Sequence, residues 1–111
     1  MKLVVIESPY AGDVEKNVEY AKKCMADSLR RGEAPIASHL LYPQVLEDMI
    51  PEERFLGMTT GFQWGAKADL IAVYRDLGIT PGMQAAIDNY RYLRIPIEYR
   101  SIKDRDEVEN T

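Results

Sequence analysis

Two stretches of this chain, Leu3-Val4-Val5-Ile6 and Leu70-Ile71-Ala72-Val73-Tyr74, are continuously apolar and rich in β-branched residues. A strand with one wet face would alternate apolar and polar side chains. Short unbroken runs instead belong to strands covered on both faces, the condition of a parallel sheet held between helical layers. A chain of 111 residues fits one such domain with a single core. Residues 1–100 are taken as that domain and residues 101–111 as a charged tail with no core pattern.

The segments between the runs supply the helices. Asp13 is a good N-cap, and Glu15 suits the positive end of a helix dipole. Val14, Val18, Ala21, Met25 and Leu29 recur at three- and four-residue spacing, which predicts a helix over 14–31 with those residues facing inward. Gly32 stands where a left-handed C-cap belongs. Ala34-Pro35-Ile36-Ala37 reads as an edge strand, because proline cannot donate to a central ladder. A looser segment leads to Pro51-Glu52-Glu53, the start of a helix reaching about residue 66. Gly57, Gly61 and Gly65 give that helix a smooth stripe for close packing. A strand over 69–74, a loop over 75–82, a helix over 83–93 and a strand over 95–99 complete the alternation. This pattern predicts a single-domain, three-layer α/β sandwich of flavodoxin- or Rossmann-like type. Its parallel sheet has four strands in the order 2-1-3-4, with room for a fifth.

That order places a pocket. The chain reverses direction between strands one and three, and ligands of open α/β sheets bind beyond the carboxyl ends of strands at such a point. The loops there are residues 8–13 and 75–82, both with glycine and hydroxyl groups, and both running into helix N-termini that expose amide donors to an anion.

Composition narrows the chemistry. Cys24 is the single cysteine, which excludes an internal disulfide and fits a reducing, cytoplasmic setting. One cysteine and one histidine make a zinc site improbable, and no metal or cofactor is implied. The net charge is -4 with scattered Lys and Arg, so no basic stripe recommends nucleic acid. No apolar run approaches the roughly 20 residues of a membrane span.

Glu7-Ser8-Pro9-Tyr10-Ala11-Gly12-Asp13, then Asn17, Ala21, Gly32, Ala34-Pro35, Ser38-His39-Leu40 and Gly78-Ile79-Thr80-Pro81-Gly82-Met83 carry a family resemblance. They are similar to short phage and bacterial proteins of undefined function that look like the nucleoside 2-deoxyribosyltransferase superfamily. The resemblance implies that Ser8, Tyr10, Gly12 and Asp13 form the ligand loop. It makes Asp69 a supporting acid, and Thr80 and Gly82, with Met83 beside them, a phosphate turn. The superfamily's nucleophilic glutamate falls at Ala86, and Asp88 points away around the helix. The resemblance also implies a homodimer or larger homo-oligomer.

Several residues keep two readings. Asp13 serves as a helix cap or a ligand contact, and Tyr10 covers a base or packs on its helix. His39 lies on the ligand side as a contact or as a hydrogen-bonded structural residue. Trp64 and Phe62 suit core or dimer contact, Cys24 inert packing, and Glu52-Glu53-Arg54 a solvated helix start. The expected function is binding of a nucleotide or nucleotide-derived small molecule. The alternative is an N-glycosidase or deoxyribosyltransferase whose displaced catalytic acid is Glu7 or Asp69.

Overall fold

A computed structural model of the protein describes residues 1–103. Strand β1 (Leu3–Glu7) leads to helix α1 (Val14–Arg30), strand β2 (Ala34–Ile36) and a short helix α2 (Ser38–Leu41). A 3-10 turn (Tyr42–Gln44) precedes helix α3 (Pro51–Gly65), strand β3 (Leu70–Tyr74), helix α4 (Pro81–Tyr92) and strand β4 (Ile97–Arg100). The sheet is four-stranded, wholly parallel and ordered β2-β1-β3-β4, as the alternation predicts.

Side chains of adjacent strand residues point to opposite faces. Val4, Ile6, Leu70, Ala72 and Tyr74 form one core layer with Tyr20 and Cys24 of α1. Val5, Ile71 and Val73 form the other with Met83, Ala86, Ile87 and Tyr90 of α4. Phe62 of α3 packs against that second layer, its ring edge-on to Tyr90 with centroids 5.7 Å apart.

Helix α1 begins and ends as expected. Asp13 Oδ1 accepts the Lys16 N–H at 3.2 Å. At the far end Gly32 adopts φ 81°, the left-handed turn that lets its own N–H and that of Glu33 close back on Leu29 and Ser28. Its inward face differs from the predicted stripe. The buried residues are Asn17, Tyr20, Ala21, Cys24, Asp27 and Ser28, while Val14 and Leu29 are exposed. Hydrophobic spacing missed this because several buried residues are polar, and long-range partners make their burial tolerable. Tyr20 bonds Asp76 at 2.5 Å, Asp27 accepts from Tyr74 at 2.7 Å, and Ser28 donates to Glu33 at 2.7 Å. Burial also pushes the Cys24 thiol up to about 12, in keeping with inert packing.

Other boundaries move by short distances. Helix α4 starts at Pro81, with Thr80 as its cap, instead of at Met83. Proline at the first helical position is the pattern that explains the shift. The segment expected to be loose contains α2 and the 3-10 turn. The start of the charged tail is docked: Asp76 accepts from Ser101 Oγ and from the N–H groups of Ile102 and Lys103. The remainder of the tail, 104–111, lies outside the described residues. Among the described residues, no helix is long and apolar enough to cross a membrane.

The glycine stripe of α3 packs closely at two of its three positions. A Cβ at Gly61 would stand 2.7 Å from Ser38 Oγ, and one at Gly65 would enter the Tyr90 phenol ring. Tyr90 is completely buried and has nowhere to retreat. Gly65→Ala is therefore expected to destabilise the fold by about 2 kcal/mol, the usual scale of core overpacking. In a thermal melt this should lower Tm by on the order of 10 °C.

Candidate functional site

The reversal between β1 and β3 opens a cavity of about 450 Å³ beyond the carboxyl ends of those strands. One wall is the loop from Ser8 to Gly12, and another is the amino end of α4 from Thr80 to Met83, with Ala86 one turn further along. The segment from the 3-10 turn through α3 closes the third side with Tyr42, Leu46, Met58 and Phe62.

The first loop is held by a residue the hydrophobic pattern passes over. Asn17 is buried, and its side-chain amide donates to the carbonyls of Tyr10 at 2.9 Å and Ala11 at 3.0 Å. Gly12 takes φ 101°, a conformation that L side chains rarely adopt.

Glu7 is the most unusual group in the site. It occupies the last position of β1 on the face that carries Val5, and it pairs in register with Val73. Alternation thus points a carboxyl into a layer otherwise built of aliphatic and aromatic side chains. Among the described residues it makes no hydrogen bond or ion pair. Burial raises its pKa to about 8, so the group is a neutral acid at pH 7. The nearby Tyr90 hydroxyl is also raised, first by burial and then by the neighbourhood of Glu7, and it too lacks a hydrogen-bond partner among the described residues.

Beside this acid, Ser8 Oγ lies 2.6 Å from His39 Nε2. Ser8 is buried at the turn leaving β1, and α2 delivers the imidazole from across the cavity mouth. Burial pulls the His39 pKa down to about 4, so the ring is neutral near pH 7. In the tautomer with a bare Nε2, the Ser8 hydroxyl donates to it.

At the α4 wall, Thr80 Oγ1 accepts the Met83 N–H at 3.2 Å. The hydroxyl thus serves first as the cap of α4, and its proton stays available to a ligand. The pocket offers a neutral acid, a serine–histidine pair and a hydroxyl against an apolar wall.

Of the residues expected here, the cavity gathers Glu7, Ser8, Tyr10, Gly12, His39, Thr80, Gly82 and Met83. It does not gather Asp13, which is exposed and caps α1. Asp69 requires a correction. It accepts the Leu3 N–H at 2.8 Å, at the amino ends of β1 and β3. A parallel sheet puts all its strand starts on one edge, so an acid opening β3 lies a strand length from a pocket at the carboxyl ends. Asp88 faces solvent and bonds Gln84 at 2.9 Å. Sequence reasoning missed the α2–α3 wall. Glu53 and Arg54, read as a solvated helix start, line the cavity, as do Asp48 and Met58. Trp64 is exposed and donates to the Tyr42 hydroxyl at 2.7 Å. Among the described residues, no group of three or more His, Cys, Asp or Glu could hold a metal ion.

The two shifted groups give stability a defined pH profile. Between pH about 4.5 and 8 the folded chain keeps a proton on Glu7 that the unfolded chain releases, so stability falls as pH rises. Between about 4 and 6.5 the unfolded chain holds a proton that folded His39 lacks, so stability rises with pH and offsets the first effect. Glu7 therefore dominates between pH about 6.5 and 8, with a slope approaching 1.4 kcal/mol per pH unit at the lower end, before the raised Cys24 thiol begins to add to the decline. Urea melts across pH 6.5–8.5 should show this decline in the wild type. Glu7→Gln should flatten it; an equal slope in both proteins would place the titrating group elsewhere.

A solved structure of a 2-deoxyribosyltransferase from the psychrotolerant bacterium Bacillus psychrosaccharolyticus is similar to this chain, with a TM-score of 0.64 and 17% sequence identity. The likeness covers 89% of this chain and 72% of that one, and at this identity it concerns the fold. No curated protein matches the sequence. Residues 2–100 match the family described as Domain of unknown function (DUF7768), and by that match the chain belongs to this family.

Proposed function

We propose that the cavity binds a nucleotide or nucleotide-derived small molecule without using the covalent chemistry of the deoxyribosyltransferases it resembles. The observation that carries this reading is the position of Ala86. It is buried against β3 and lines the cavity six residues beyond Thr80, where the resemblance implies a nucleophilic glutamate. A methyl group there can form no glycosyl ester, yet the surrounding pocket is roomy and polar on one side. The base would lie against Tyr42, Met58 and Phe62, and a phosphate would meet the hydroxyl of Thr80 and the start of α4. In a phage-infected bacterial cytoplasm, such a protein would sequester a nucleotide signal of the host. It would act as a homodimer or larger assembly closed through α3, whose Phe55, Leu56 and Trp64 are 69%, 53% and 54% exposed.

One observation favours a second reading, an N-glycosidic hydrolase or transferase. Glu7 lines the same cavity as Ala86 and is protonated at neutral pH. A neutral carboxyl is suited to protonate a departing base, though not to attack the anomeric carbon.

Incubation with a panel of nucleosides, nucleotides, cyclic nucleotides and ADP-ribose compounds, then mass spectrometry of what the denatured protein releases, separates the two. Recovery of an intact nucleotide near one per chain supports binding. A free base and sugar accumulating beyond one per chain overturns it in favour of the enzyme. Thr80→Asp then tests the phosphate subsite, because aspartate caps a helix as well as threonine and places a charge beside the anion. Affinity for a phosphorylated ligand should fall at least about tenfold with Tm unchanged.

A further inference from the structure

The Ser8–His39 pair has a chemistry that binding alone does not use. Ser8 sits on the turn between the end of a buried central strand and the loop that leads into α1. Its oxygen stands 2.6 Å from His39 Nε2, within the distance needed for direct proton transfer. Both residues line the cavity, so a reacting group bound there can reach the hydroxyl. The amides of Ala11 and Gly12 belong to the same wall and donate to no acceptor among the described residues. They are available to a negative charge that develops near Ser8.

We propose that Ser8 is a nucleophile activated by His39, and that the cavity accepts a small, largely uncharged carboxylic ester as substrate for acyl transfer to Ser8 and hydrolysis. The Ser8 oxygen bonds to the carbonyl carbon while its proton passes to His39 Nε2. The carbon–oxygen bond to the leaving alcohol then breaks, and His39 returns the proton to that alcohol. Water attacks the acyl-serine ester and gives a proton to His39. The Oγ–acyl bond breaks, the carboxylic acid leaves, and Ser8 recovers its proton. No oxidant, reductant or metal is needed. Burial lowers the His39 pKa to about 4, which leaves the ring unprotonated throughout the neutral range and weakens it as a base, so the activation rests on its contact with Ser8. Tyr42, Leu46, Met58 and Phe62 furnish the apolar side on which the uncharged part of the ester rests.

The test is labelling of the full chain with an alkyl fluorophosphonate, a probe in which serine displaces fluoride from phosphorus and the base takes up the proton. Intact-mass and peptide analysis should show one phosphonyl group per chain, on Ser8. Labelling should cease when the protein is unfolded in urea, because the histidine is then no longer beside the serine. His39→Gln keeps a hydrogen-bond partner for Ser8 but cannot accept a proton, and should slow labelling by at least about 100-fold. Hydrolysis of 4-nitrophenyl acetate should fall in parallel. Absence of an adduct on Ser8 in the folded wild type overturns the proposal even if the His39→Gln protein does not fold. So does an equal rate of Ser8 labelling in urea, or a wild-type rate in a folded His39→Gln protein.

Discussion

The parallel pairing of β1 with β3 is the constraint on which the remaining structure depends. Its register sets Val4 beside Leu70 and Glu7 beside Val73, although these partners lie far apart in the chain. Both strands are central, so each must be covered above and below, and helices α1 and α4 are placed by that need. The same pairing aligns the ends of the two strands. The loop after β1 and the loop after β3 consequently share one edge of the sheet, where the order reverses and no strand fills the gap. The cavity follows from the topology, and the side chains decide only what it can hold.

A second set of interactions closes the fold around the outer strand. The guanidinium of Arg100, at the end of β4, forms a two-pronged ion pair with Glu33 at 2.7 and 2.8 Å and touches Tyr74 and Glu98. Arg100 holds the Glu33 carboxyl below its usual range, helped by the Ser28 hydroxyl. Tyr74 continues the chain of contacts to Asp27, which Arg31 also reaches at 2.9 Å. Burying such charges costs desolvation, and each remains tolerable because nearly every donor and acceptor is matched. The result joins α1, the entry to β2, and strands β3 and β4 through polar contacts that leave the opposite face free for the cavity.

The architecture was legible in the sequence because its central strands are apolar without interruption, and no other element type suits Val4-Val5-Ile6 or Leu70–Tyr74 in a chain with these helices. Polar burial was not legible. Tyr20, Asp27 and Ser28 face the core only because Asp76, Tyr74 and Glu33 arrive from distant segments. Helix α2 spans four residues and leaves little periodicity to detect. Yet it carries His39 to Ser8, a contact between residues 31 apart in the chain. The placement of Asp69 is a different kind of miss. Residue type and order matched the resembled pattern, while parallel strand direction alone already put it at the wrong edge.

Glu7 ties the electrostatics of the site to its architecture. A carboxylate at this position would face Tyr90, whose ring is locked by Gly65 and Phe62 and whose hydroxyl is itself unpaired. With no cation paired to it among the described residues, protonation is the cheapest way to accommodate the acid, and the pocket gains a donor while losing a charge. The exchange matters in a chain of net charge -4, where an ionised acid in the cavity would oppose any anionic ligand. Neutral Glu7 instead leaves the positive end of the α4 dipole unopposed from this position, although Asp48 and Glu53 line the same cavity. Filling the pocket would remove more water from Glu7, raising the cost of ionising it and extending its neutral range. An occupied cavity and a protonated Glu7 therefore reinforce each other, unless the ligand itself brings a positive charge.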